Sequence, residues 1–245
     1  MSHEVHGLGA FYASAMGVVA RRQLRAALRR MWPELRGLDV LGVGWPAPYL
    51  GLWPNAARSL ALVPAPLATA APPPSCAIIP ESILPLPDLS IDRILLVHAM
   101  EAVDRPEALL RECWRVLRDN GRLIVLLPNR HGVWSLFDHT PFGQGRPWSR
   151  GQIRRLLGSR LFRVEAIRPA LFVPPFPPRW ALAGAAAWEG VGRTLLPGLS
   201  GVVLAEAVKD VLGAVPTAAL KKAMQGARMP VRGLQAHGAK SHAQE

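Results

Sequence analysis

A chain of 245 residues, half of them hydrophobic, buries a substantial core and fits one domain with an appendage. Its formal charge of +12 points to an anionic partner, yet the excess is spread over an N-terminal segment (Arg21, Arg22, Arg25, Arg29, Arg30) and the C-terminal end (Lys221, Lys222, Arg228, Arg232, Lys240), which makes it weak evidence for a nucleic-acid site. Two cysteines, Cys76 and Cys113, exclude a disulfide framework, and with no CxxC partner for either, no structural zinc site is expected.

The apolar stretch Ala10–Ala20 follows Glu4 and precedes Arg21-Arg22, the reverse of the charge order of a secretion signal. Leu24, Ala27, Leu28 and Met31 recur at helical spacing, and the expected helix covers 14–32, ending at Trp32-Pro33. Leu38–Val43 reads as a buried strand running into a glycine turn, and Ser59–Val63 as a second strand. The uncharged run Ser59–Pro80 has the length of a membrane span. Its prolines at 64, 66, 72, 73, 74 and 80 rule out a lipid-exposed helix, so a soluble, cytoplasmic protein is expected.

Cys76–Ile79 and Asp92–Val97 are the third and fourth strands. Pro106–Arg118 is a helix with Asp104 as N-cap, Pro106 in the first turn, Cys113 on its apolar face and Asn120-Gly121 as the stop. Leu123–Leu127 is a fifth strand, continuously apolar as in a sheet covered on both faces. After the long loop Pro128–Trp148, Ser149 and Gln152 form a capping-box pattern for a helix ending near Gly158. Phe162–Ile167 and Gly201–Val208 are the last strands. Between them lies an insertion, 169–200, with a small-residue helix around Ala181–Trp188. The domain thus spans 1–212, and 213–245 is a basic, aperiodic tail. Strands alternating with helices argue for an α/β domain with a mostly parallel sheet.

In such sheets ligands bind at the carboxyl ends of the strands. The first of those ends carries Gly42-Val43-Gly44, where glycines let the backbone approach a cofactor. The segment Leu84–Asn129 (LPLPDLSIDRILLVHAMEAVDRPEALLRECWRVLRDNGRLIVLLPN) closely resembles the second half of the type 11 group of S-adenosylmethionine-dependent methyltransferases, and Thr140–Pro147 (TPFGQGRP) resembles a bacterial subgroup of unassigned substrate. That resemblance implies a Rossmann-like class I methyltransferase: seven strands, mostly parallel, the last inserted antiparallel, with helices on both faces. It also implies S-adenosylmethionine as cofactor and a small-molecule methyl acceptor.

Carried over position by position, the resemblance assigns Gly42 and Gly44 to the methionine part of the cofactor and Glu81-Ser82 to the adenine region. It makes Asp92 structural and places His98 facing both cofactor and substrate. Val40, Pro46 and Val63-Pro64 depart from the pattern, standing where the family has an acid, a third glycine and the ribose-binding acid. A lost charged hydrogen bond to ribose costs about 1.5–3 kcal/mol, so weakened cofactor binding is expected, with Trp45, Pro48 and Tyr49 as a substitute wall.

His98 is the candidate base, needed only if the acceptor must lose a proton, and a pocket-lining role is the alternative. Arg130, His131 and Arg146 are candidate substrate contacts, with Arg150 beside them. His131, Asp138 and His139 show no metal-ligand spacing, and no metal is expected. Glu107 and Glu112 are expected on a solvated helix face, and Glu101 as a brace for the His98 turn. The rival readings are a catalytically inactive methyltransferase fold that binds a ligand or partner, and a peripheral membrane or nucleic-acid binder acting through its basic ends.

Overall fold

In the computed structural model, which describes residues 7–68, 76–137, 140–144, 147–175, 185–196 and 198–211, seven strands form one sheet. The strands are β1 (Asp39–Gly44), β2 (Arg58–Pro64), β3 (Ala77–Ile79), β4 (Ile91–Val97), β5 (Leu117–Pro128), β6 (Phe162–Ala170) and β7 (Val202–Lys209). Their order is β3-β2-β1-β4-β5-β7-β6. The first five run parallel, and β7 lies antiparallel between β5 and β6. The expected seven-stranded architecture with an inverted last strand is therefore observed, and the order reverses between β1 and β4, the crevice in which ligands of open α/β sheets bind.

The continuous apolar strands are explained by cover on both faces. Alternate residues of β1, β4 and β5 (Val40, Leu95, Val97, Ile124, Leu126) pack under α2 (Ala15–Met31), joined there by α1 (Leu8–Ala13) and α3 (Ala47–Leu50). The opposite set (Leu41, Val43, Ile94, Leu96, Leu123, Val125) packs under α4 (Ala99–Ala102), α5 (Pro106–Val116) and α6 (Arg150–Ser159). The helix of the insertion, α7 (Ala185–Leu195), packs against α2 and β6. It extends C-terminal to the expected Ala181–Trp188, of which 181–184 lie outside the described residues.

Local signals set several boundaries. The single helix expected over 14–32 is two: α1 stops at Ser14, whose hydroxyl accepts the Gly17 amide at 3.1 Å and caps α2. The Ser149–Gln152 capping box forms as expected, with the Gln152 side chain accepting the Ser149 amide at 2.9 Å. α5, by contrast, ends at Val116 rather than Arg118, because buried Leu117 pairs with Ile91 and so starts β5 early. Nor does Asp104 cap α5. The carboxylate of Glu81 accepts the backbone N–H groups of Asp104 and Arg105 instead, supplying from a distant loop the acceptors that helix entry needs. Asp92 is structural as implied: Oδ2 accepts the Asp39 amide at 2.9 Å and Nη1 of Arg118 at 2.6 Å. Glu112 differs from expectation, being half-buried and joined to Arg115 and to the Leu84 amide. Cys113 is fully buried, and burial pushes its thiol far above the ordinary value, so it packs as a small apolar side chain. The compact unit runs to Asp210, and the tail expected over 213–245 lies outside the described residues.

Candidate active site at the strand ends

The carboxyl ends of β1, β2 and β4 meet beneath α1. At the end of β1 the two glycines have distinct causes. Gly44 holds φ +95°, and a Cβ there would lie 2.0 Å from the Val97 carbonyl, so this glycine lets β1 pass close to β4. A Cβ at Gly42 would lie 2.3 Å from Cβ of Pro46, the residue where the family has its third glycine. The ring of Pro46 thus fills the space over Gly42, and both glycines are buried.

β4 delivers His98 in the left-handed conformation, φ +53°, at the entry to α4. This strained geometry in a non-glycine residue aims the imidazole into the crevice, where it is wholly buried. Nε2 lies 2.9 Å from the hydroxyl of Tyr12, which lies 3.0 Å from the hydroxyl of Tyr49. Nδ1 faces Oε1 of Glu101 at 3.5 Å, one turn on along α4. Neither carboxylate oxygen of Glu101 has a hydrogen-bond partner, although the residue is buried. Phe142 packs on the imidazole with ring centroids 5.1 Å apart, and Phe11 and Trp134 pack on Phe142. Burial, then the neighbouring Tyr49 and Glu101, push the Tyr12 phenol well above its ordinary value, and burial raises Tyr49, so both stay protonated. The site is a carboxylate, an imidazole and two neutral phenols in line, sealed by aromatic rings.

Of the residues expected to form the site, Gly42, Gly44 and His98 converge. Glu81 and Ser82 are half-buried after β3, and the Glu81 carboxylate is engaged in holding the start of α5. Arg130 and His131 are exposed on the loop after β5. That loop is anchored by the buried Asn129, whose amide donates to the carbonyls of Gly198 and Ser200 at 2.9 and 2.8 Å. Arg146, Asp138 and His139 lie outside the described residues. Among the described residues no cluster of histidine, cysteine and acid side chains could hold a metal, and no helix is long and apolar enough to cross a membrane. Sequence reasoning missed Tyr12 and Phe142 and read Glu101 as a brace. One signal was available: the chain has only two tyrosines, and both are here.

With α1 seated as described, the place a cofactor would take at these strand ends is filled. Pro46 closes the approach to Gly42, and at the end of β2, where a ribose-binding acid would stand, Val63 and Leu67 belong to the same buried cluster as Leu8, Tyr12, Trp45 and Tyr49. α1 supplies two members of that cluster, Leu8 and Tyr12.

Residues 41–125 match the model of the family described as "Methyltransferase domain". No curated protein sequence matches the chain. Among solved structures, the chain resembles a Haloferax volcanii complex between the Trm112 methyltransferase activator and a methyltransferase, at 16% identity over 86% of this chain and 99% of that one, with a TM-score of 0.58. It resembles an S-adenosylmethionine-dependent methyltransferase of Thermotoga maritima at 18% identity, covering 82% and 94%, with a TM-score of 0.57. The [4+2]-cyclase SpnF is similar at 19% identity, covering 78% and 82%, with a TM-score of 0.51. At these identities the shared property is the fold, and that fold hosts more than one chemistry.

Proposed function

We propose that this chain, in which residues 41–125 form a methyltransferase domain on a class I fold, is an S-adenosylmethionine-dependent methyltransferase of a small-molecule acceptor whose site is closed by α1 in the conformation described. The observation that carries this reading is the buried Glu101–His98 pair at the crevice where β1 and β4 diverge. A carboxylate left without hydrogen bonds in a sealed site costs stability and calls for a role. His98 Nε2 already meets a hydroxyl, that of Tyr12. With α1 displaced, an acceptor hydroxyl in the same place meets the same nitrogen, and Glu101 steadies the imidazolium that results from proton uptake. Arg130 and His131, exposed on the loop after β5, are the candidate contacts to the acceptor. When bound, the cofactor supplies an activated methyl group, so the chain contributes chiefly position and desolvation.

The closing segment is small enough to be displaced. Burying Leu8 and Tyr12 contributes about 1.5–3 kcal/mol each before the entropy of ordering the helix. A net closure of about 3 kcal/mol lowers apparent ligand affinity on the order of 100-fold.

The second reading, a fold that has lost catalysis, is favoured by Pro46 over Gly42 and by Val63-Pro64 in place of the acid. Titration of the full chain and its Tyr12→Ala variant with S-adenosylhomocysteine separates the two. Weak binding by the native chain and binding at least about tenfold tighter by the variant is the expected result. No heat from either at millimolar ligand establishes the second reading.

A further inference from the structure

We propose that the outer face built by α2 and α7 docks on an anionic lipid bilayer. The two helices pack against each other and against β6, so their exposed sides form one surface. α7 and the turn after it present Val191, Leu195, Leu196 and Leu199 to solvent, with exposures of 53, 70, 53 and 46%. Scattered exposed leucines are ordinary, but these four fall within nine residues. Three of them rim an apolar groove of about 200 Å³ floored by Trp134, Phe172 and Val173.

α2, which packs against α7, carries a cationic strip of its own. On α2 the exposed residues Val18, Arg22, Ala26 and Arg30 recur every four positions and make one stripe. Arg30 also lines a recess with Arg168 of β6. α2 contains no acidic residue, and the single acid of α7, Glu189, is buried and turned inward. Its two oxygens accept the Leu171 and Phe172 amides at 2.8 and 2.7 Å. Neither helix therefore offers an exposed carboxylate.

This pairing of chemistries selects the partner. Nucleic acid would engage the arginines but give nothing to Val191, Leu195 and Leu196, which would stay in water or be desolvated against phosphate. A bilayer containing acidic lipids takes both strips, with the leucines entering at the headgroup–acyl boundary and the arginines held by phosphate charge.

The full chain is tested by flotation with phosphatidylcholine vesicles, with and without phosphatidylglycerol. It is expected to float with the anionic vesicles only and to be released by salt. Leu195→Asp, and separately the pair Arg22→Glu and Arg30→Glu, should each reduce binding at least about tenfold while leaving the thermal midpoint within about 2 °C. The proposal is overturned if the native chain does not float with anionic vesicles. It is equally overturned if Leu195→Asp binds them like the native chain, which would move the interaction to the basic C-terminal residues. Retention on duplex DNA that survives Leu195→Asp but not the arginine pair, without flotation, would make the surface a nucleic-acid face.

Discussion

The two ends of the sheet handle buried charge in opposite ways. At the amino ends, the Asp39 carboxylate accepts Nε and Nη2 of Arg58 at 2.8 and 3.0 Å and Nη2 of Arg118 at 3.2 Å. Asp92 takes the other side of Arg118 and the Asp39 amide. Asp39 and Asp92 each have several donors, and water reaches Arg58 and Arg118. At the carboxyl ends, Glu101 is buried without a hydrogen bond, His98 sits at a strained φ, and the hydroxyls of Tyr12 and Tyr49 complete the line. A satisfied network needs no explanation beyond folding. An unsatisfied one persists only where the surrounding structure enforces it, and such places are where function is found.

The contrast can be broken at its most constrained point first. Gly44→Val puts a Cβ against the Val97 carbonyl at a φ that side chains rarely adopt, and should cost about 3 kcal/mol or more. In a domain of this size that corresponds to a fall of roughly 6–12 °C in the thermal midpoint, read by calorimetry. A midpoint unchanged within error would show that the end of β1 is not held as described.

Glu101→Gln sharpens the comparison, because it alters a buried carboxyl group that has no hydrogen-bond donor. Its expected effect on stability is nil or a gain of up to about 1 kcal/mol, whereas a buried carboxylate with a structural role would cost several when neutralised. Once an acceptor is in hand, the same variant should lose turnover. Denaturant melts alone decide the first part.

The smallest effect is expected at the amino ends. Hydrogen bonds from Arg58 hold the Asp39 carboxyl below the usual carboxylate range. A depressed native value means that the stabilisation is complete above the unfolded pKa, near about 4, and is lost as pH falls through the native value. Asp39→Asn should therefore lower stability modestly at pH 7, with the difference from the native chain shrinking as pH falls through the depressed native value in paired melts. Because Arg58 is largely exposed, solvent screens the pair and keeps the loss small. A difference that persists in acid would point to packing rather than charge.

Much of this was legible in the residues. The run DRILLV, the helix opened by Pro106 and the Ser149–Gln152 box are local patterns, since strand period, proline position and cap chemistry act within a few residues. The family resemblance supplied the seven strands and the inverted last strand, and the chain keeps both. His98 could be placed in advance because it follows directly from its strand.

What the sequence could not give is what crosses long separations. Tyr12 meets His98 from 86 positions away, and nothing in the apolar stretch Ala10–Ala20 marks one ring as its plug. Gly42 and Gly44 looked like openings for a cofactor. Only the packed structure shows that one accommodates Pro46 and the other the backbone of β4, because a missing side chain records space without recording what fills it. Glu81, expected in the adenine region, has in addition a role that only the fold reveals: its carboxylate accepts the amides at the start of α5. Local propensity determines the elements, while burial and the satisfaction of distant donors and acceptors decide which polar groups support the fold and which are left for chemistry.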